Sequence, residues 1–535
     1  MLFQNYDVIL FLKTDSLISN RYDILGKLIE FSPSAGAVVI AQPRSAIFVD
    51  ERYTLAAHNC LDQNKFEIAE LRKSNIINWI KENILTDSVI AYDPDFFSAE
   101  EYHFFKTNLS EYRFVAIDLR QELELPCSSP QLKLINVPTD NSINKFDFVY
   151  KTIEENELDA YLITDTCSVA WLLNFRNLNE KFTPVFAGYL LITKSHDIFL
   201  YTDDSCPTNL AVKNPLELTR DLLVFDKVGT DKNQLPEKIN FPNLIHIENP
   251  YLLPKSVKDS VEVENIKNTA QKDSVALINF LHWFHNYENP IFELDVVEKV
   301  HYFRTQQDGF VGESFATIVA ADENAAVVHY VPSIESNKII KNILLLDSGG
   351  QYKYGTTDIT RTIALRSPTL KEKLFYTLVL KGHIAIANAK FPKGTTGAQL
   401  DPFARQFLWQ YEADYGHSTG HGIGYMLHVH EGPVGISKSN NVPFQANMLL
   451  SNEPGYYLAD SFGIRLENMM LVQNVSDSFL EFDTISLVPF DMKFIDFSLL
   501  TKTELNWMRT YHERLLTELD LESNVRNWLG HYIGK

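Results

Sequence analysis

A run of five apolar residues, VILFL (Val8 to Leu12), lies near the start of the chain between Asp7 and Lys13. Its length and polar flanks predict a strand. The pattern then recurs. YDVILFLKTDS (Tyr6 to Ser16) resembles LDAYLITDTCS (Leu158 to Ser168), and SAGAVVIAQPRSAIFVD (Ser34 to Asp50) resembles FAGYLLITKSHDIFLYTD (Phe186 to Asp203). Each copy reads as a strand, a segment of small residues, and two strands joined by a short polar turn. Helical periods follow in each, as in INWIKENI (Ile77 to Ile84) and LELTRDLL (Leu216 to Leu223). Two similar α/β domains in tandem are expected, residues 1–128 and 129–254, with the boundary in the Pro126 to Pro138 segment.

A proline-flanked connection, NPYLLPKS (Asn249 to Ser256), ends the second copy. A long amphipathic helix is predicted beyond it, with Ile266, Ala270, Leu277, Phe280, Leu281 and Phe284 on one stripe. The rest, residues 255–535, reads as one larger α+β domain. Its predicted strands are GESFATIVAA, ILLLD, DITRTIAL, NMLLSNEP and GIRLENMMLV. Helices are expected around Leu370 to Ala389, around Ala398 to Tyr415, and in the tail from Leu505 to Trp528.

Length and composition narrow the classes. At 535 residues the chain exceeds one core. A net charge of −21 argues against nucleic acid or an anionic membrane as partner. Cys60, Cys127, Cys167 and Cys206 stand far apart with no CxxC pair, which disfavours a disulfide framework and fits a reducing compartment. The N-terminus lacks a basic leader, and no apolar stretch approaches the ~20 residues needed to span a bilayer. A cytoplasmic protein is expected.

The chemistry gathers in the third domain. In LLLDSGGQYKYGTTDITRT (Leu344 to Thr362), an apolar run ends in Asp347 and a second begins at Asp358. If the two strands pair, both carboxylates share one face. NMLLSNEPGYY supplies Glu453 and FGIRLENMM supplies Glu467, again on neighbouring strands. Between these hairpins lies HSTGHGIGYMLHVHEGP, with His417, His421, His428 and His430. A lone aspartate at a strand end usually caps a turn, and a lone histidine is usually structural. Four carboxylates and a histidine in semi-apolar strands differ, because gathered like charges repel. Two divalent cations neutralise them, and oxygen-rich ligation with one imidazole suits manganese, cobalt or zinc. Paired metals activate water and polarise a carbonyl.

In these motifs the sequence resembles the aminopeptidase P family, the Xaa-Pro aminopeptidases of the pita-bread fold, in their three-domain cytosolic form. DSGGQY, GTTDITRT, GHGIG, VHEGP, SNEPGYY and GIRLEN match its catalytic domain in order. AWLLNFRNLNEKFTPVFAGYLLI matches its second domain, and VPFDMKFIDFSLLTKTELNWMRTYHERL its C-terminal extension. The resemblance implies two creatinase-like α/β domains followed by a pita-bread catalytic domain. It implies a site with two divalent metals, manganese first among them. Asp347 is then a terminal ligand of one metal, His421 and Glu453 of the other, and Asp358 and Glu467 bridge them. His430 corresponds to a proton-shuttling histidine, His329 and His417 to histidines lining the substrate site, and Arg465 to an arginine supporting the metals. The implied reaction removes the residue before a proline at the second position of a peptide, through a hydroxide bridging the metals. A homodimer is implied as well. The rivals are a prolidase, restricted to Xaa-Pro dipeptides, and an inactive pita-bread module that only binds peptide segments. The chain departs from the usual pattern at Glu313, Ala316, Ser418 and His428, and in the LADS turn after Tyr457, without losing a ligand position.

Overall fold

The computed structural model describes residues 6–13, 22–125, 132–203 and 210–534. They form two compact units. One comprises Met1–Leu134, Asn144–Asn179 and Val185–Tyr251, the other Ile135–Ile143, Glu180–Pro184 and Leu252–Lys535.

The first unit is built on two six-stranded sheets of the same design. In the first, strand Val8–Lys13 runs antiparallel to Gly36–Ile40 and parallel to Val89–Tyr92. Its alternate residues serve two cores: Val8, Leu10 and Leu12 on one face, Ile9 and Phe11 on the other. A run buried on both sides must therefore be apolar throughout. In the second sheet, Ala160–Ile163 takes the same central place, antiparallel to Tyr189–Thr193 and parallel to Val228–Thr230. Strand order and direction agree across all six positions of both sheets. The sequence repeat is thus a repeat of topology.

One helical period falls short. LELTRDLL becomes a 3₁₀ turn, Pro215–Glu217, and a short helix, Leu218–Leu222. Only Leu218 and Leu222 are buried, while Leu216 and Leu223 face solvent. Asn214 and Glu217 cap the start reciprocally, and a segment with two buried leucines supports little more than one turn. Cys60 is a free thiol at the surface. Cys127 and Cys206 lie outside the described residues, as does part of the Pro126 to Pro138 segment.

In the second unit, helix Ser260–Asn286 starts at a reciprocal cap between Asp259 and Glu262, and all six residues of its predicted stripe are buried. Leu277, Phe280, Leu281 and Phe284 pack against Val319, Leu344, Leu346 and Ile363. These belong to a three-stranded antiparallel sheet of Ile318–Ala321, Ile343–Ser348 and Ile359–Ala364. Because side chains alternate, Leu344 and Leu346 take the helix side and Asp347 takes the other.

Two expected strands are broken. GESFATIVAA splits into Phe310–Glu313 and Ile318–Ala321, which lie in different sheets. At the break, Ser314 donates its hydroxyl to the Thr357 carbonyl at 2.8 Å. GIRLENMMLV splits into Phe462–Arg465 and Asn468–Asn474, leaving Glu467 in the gap. The helix expected to reach Tyr415 stops at Trp409. Buried Arg405 takes over there, donating to the carbonyls of Tyr415 and His417 at 2.7 and 2.8 Å. The tail forms helices Lys502–Thr517 and Ser523–Tyr532. Among the described residues, no helix is long and apolar enough to cross a membrane.

Candidate active site

Asp347 and Asp358 meet through strand register. Asp347 pairs with Thr360, and Asp358 lies two residues before Thr360, on the same face. The chain between them leaves this sheet at Ser348, forms the hairpin Gly350–Tyr352 and Gly355–Thr356 in another, and returns. Gly349 makes the exit feasible, since a Cβ there would stand 2.0 Å from the Thr357 carbonyl oxygen.

Glu453 and Glu467 meet in the same way. Asn452 pairs with Asn468, so the two glutamates flank the end of that ladder. The connection between them is the hairpin Gly455–Leu458 and Phe462–Arg465. Its turn, in LADS, holds Asp460 at φ +57°. The Glu467 N–H bonds the Thr360 carbonyl, and the Thr360 hydroxyl donates to Glu467 Oε2 at 2.6 Å. This joins the two hairpins.

His421 completes the set from the strand Gly420–His421. Its Nδ1–H donates to the Gly422 carbonyl at 2.9 Å, so in the neutral ring the lone pair is on Nε2, which is aimed at the acids. Nε2 lies 3.4 Å from Asp358 Oδ2 and 3.4 Å from Glu453 Oε1. Ligand atoms of Asp358, His421 and Glu467 all lie within 4.8 Å of one another. Burial, then the charges of Asp347 and Glu453, push Asp358 well above the usual carboxylate range. Glu467 is pushed up likewise, by burial and then by Asp358, Glu453 and Asp347. Asp347 Oδ1 is buried with no hydrogen-bond partner. Hard oxygen donors that repel one another, an orphaned carboxylate oxygen and an imidazole held in its ligating tautomer together fit divalent cations.

The other expected residues occupy distinct places. Arg465 Nη2 donates to Asp347 Oδ2 at 2.6 Å, and Nη1 donates to the Tyr457 hydroxyl at 2.8 Å. His417 is buried, with Nε2 2.8 Å from the Tyr457 hydroxyl and Nδ1 2.8 Å from the Ser418 carbonyl. The ring of His430 stands edge-on to that of His421, with centroids 4.3 Å apart. His428 closes the turn below it, its Nδ1 2.8 Å from the His430 carbonyl. His329 is half-buried, just after the 3₁₀ turn Asp322–Ala326. Glu313 pairs with His301 at 2.5 Å. Tyr457 and Thr360 join the site without a sequence signal of their own; for Thr360 the one available cue is its place two residues from Asp358 on the same face.

Residues 264–474 match the metallopeptidase family M24, and 478–533 match the C-terminal region of peptidase M24. Residues 10–122 and 135–262 each match a creatinase/prolidase N-terminal domain. Fold, acidic centre and these matches define a metallopeptidase with two creatinase-type domains ahead of a pita-bread catalytic domain. Xaa-Pro aminopeptidase 1 of Dictyostelium discoideum is 33% identical, over 94% of this chain and 89% of its own. The crystal structure of X-prolyl aminopeptidase from Caenorhabditis elegans, described as a cytosolic enzyme with a di-nuclear active site, superposes with a TM-score of 0.88 at 27% identity. That match covers 99% of this chain and 95% of the other. An Xaa-Pro dipeptidase from Bacillus anthracis, 25% identical with a TM-score of 0.54, covers 65% of this chain and 99% of its own. The chain belongs to the Xaa-Pro aminopeptidase family of M24 metallopeptidases.

Proposed function

We propose that this enzyme hydrolyses the bond between the N-terminal residue of a peptide and a proline at the second position. The observation that carries this reading is the centre itself: four carboxylates around one tautomer-locked imidazole. Two divalent cations would be held there by Asp347 on one side, by His421 and Glu453 on the other, and by Asp358 and Glu467 shared between them. Manganese is the metal we assign, on the oxygen-rich donor set. Cations bound there supply Lewis acidity toward the scissile carbonyl and activate the attacking water.

The chain's own groups do the rest. His430, beside His421, carries the proton that the proline nitrogen needs on leaving; that nitrogen is tertiary and has no hydrogen of its own. Arg465 holds Asp347 and, through Thr360, stands next to Glu467. His417 and His329 line the substrate site in this reading.

Residues 1–128, 129–254 and 255–535 are its three domains. It works as a homodimer in the cytosol, a reading supported by the description of the C. elegans relative for the compartment only. Metal-free protein, reconstituted with manganese and given Xaa-Pro peptides with free N-termini, tests the function. Release of the first residue is the expected result. Full activity in protein proved metal-free by elemental analysis would falsify the mechanism.

A further inference from the structure

Glu180–Pro184 lies in the front half of the sequence yet belongs to the catalytic unit. Within it the chain makes a three-residue turn. Thr183 N–H donates to the Lys181 carbonyl at 2.7 Å, and Phe182 between them has φ +63°. A turn of this hand is rare and strained, and a phenylalanine in it bears a Cβ clash that glycine would avoid. Such strain persists only where the surroundings over-determine it. Here they do. Buried Gln351 donates from its amide nitrogen to the Phe182 carbonyl at 2.7 Å and to the Leu427 carbonyl at 2.8 Å. Its Oε1 accepts from the Thr356 hydroxyl at 2.9 Å.

Core packing does not account for the ring. Thr183 and Pro184 are buried, whereas Phe182 is 37% exposed, with the Lys181 ammonium 6.0 Å from its centroid. Gln351 ties the turn to Leu427, the residue before His428, and so to the loop that sets His430 beside His421. Gln351 is also four residues beyond Asp347.

We infer that Phe182 walls the substrate cleft on the leaving-group side, where its ring takes an apolar or aromatic side chain from the residue after proline. This rests on the aminopeptidase reading above, in which His430 serves the departing proline nitrogen. Neighbours of the His430 loop then face the part of the peptide beyond the scissile bond.

Phe182→Gly is the test, because it removes the ring while keeping the positive φ without strain. Phe182→Tyr is the conservative control, and Phe182→Asn, also tolerant of this φ, repeats the measurement if the glycine variant folds poorly. Full-length manganese-loaded enzyme is assayed on an Xaa-Pro dipeptide, Xaa-Pro-Gly and Xaa-Pro-Phe. In Phe182→Gly, KM for Xaa-Pro-Phe is expected to rise about threefold to tenfold, the range of one aromatic contact. Phe182→Tyr restores it, while kcat on all three and KM for the dipeptide stay unchanged. An undiminished preference for Phe over Gly at the third position overturns the inference. A parallel rise in KM for the dipeptide, or a general fall in kcat, overturns it too. Wild-type enzyme inactive on all three overturns the aminopeptidase reading and this inference together; an active wild type with an unaltered variant overturns the inference alone.

Discussion

Arg465 Nη2 lies 2.6 Å from Asp347 Oδ2, so a buried guanidinium meets the carboxylate whose other oxygen has no hydrogen-bond partner. The same guanidinium starts a directed chain. Arg465 donates to the Tyr457 oxygen, Tyr457 donates to His417 Nε2, and His417 Nδ1–H donates to the Ser418 carbonyl. Burial pushes the Tyr457 hydroxyl up to about 12, so it stays protonated and able to donate.

Tyr457→Phe breaks that chain while keeping the ring. Loss of one partner in a buried network costs about 1–3 kcal/mol. The variant is expected to hold its metals and to lose roughly tenfold in kcat/KM, if most of that loss falls on the transition state. Metal analysis and steady-state kinetics check both halves. Unaltered kinetics would show that the chain only braces the fold.

In the proposed assignment Glu467 bridges the two cations and Glu453 serves one of them. A bridging ligand serves both cations, so Glu467→Ala is expected to lose both metals and all activity. Glu453→Ala is expected to keep one. Inductively coupled plasma analysis of dialysed protein counts the ions. Equal retention in the two variants would reject the assignment.

Much of this was legible in the chain, for a physical reason. The Val8–Lys13 strand is apolar on both faces, and its counterpart Ala160–Ile163 repeats that demand, so the tandem sheets show in a bare hydrophobic pattern. Asp347, Asp358, Glu453 and Glu467 stood out because each interrupts such a pattern. What escaped was what a side chain accomplishes without periodicity. Arg405 ends a helix at Trp409 by capturing two carbonyls downstream, and Ser314 turns a strand between sheets; neither leaves a pattern in sequence. Tyr457 stands in SNEPGYY, but a hydroxyl relay between Arg465 and His417 exists only after a hairpin folds.

His430 and His428 are divided by their contacts. His430 stands edge-on to His421, while His428 is occupied with the backbone of His430. His430→Ala is expected to keep its metals and lose ~10²–10⁴ in kcat, the usual share of acid–base help. His428→Asn, whose amide can still bond a backbone carbonyl, should stay near wild type. Equal damage in the two would shift the shuttle assignment. A pH–rate profile reads it directly, since losing the shuttle removes one limb.

His285, which is outside the acidic centre's residue set, sets an acid limit on stability. His285 packs against Trp528 and Tyr532, with centroids 5.9 and 5.0 Å apart, and its Nε2 is buried with no hydrogen-bond partner. Burial, then the charge of Lys493, lowers its pKa from 6.5 to about 4. Between those values the unfolded chain binds a proton that the folded chain refuses. Stability from this residue is therefore complete above pH 6.5 and is lost as pH falls toward 4. His285→Phe removes the proton and keeps the ring contacts. Its Tm at pH 5 is expected to exceed wild type by about 2 °C, with little difference at pH 8. Parallel Tm curves across that range would contradict the sign.

Peptide length separates the aminopeptidase from a prolidase. A prolidase anchors the proline carboxylate, so it loses that contact when the substrate continues past proline. An aminopeptidase needs the free amine, the proline ring and room for the rest of the chain. Here the match to the C. elegans X-prolyl aminopeptidase spans both front domains, whereas the dipeptidase match covers 65% of the chain. Xaa-Pro-Xaa and longer peptides are therefore expected to show higher kcat/KM than the matching Xaa-Pro dipeptide. Acetylating the N-terminus should abolish cleavage, because the amine is then neither charged nor able to coordinate. Replacing proline by alanine should lower kcat/KM sharply, since the ring's fixed φ preorganises the bound peptide. Steady-state kinetics on that panel decides the matter: a clear preference for the dipeptide would move the assignment to prolidase.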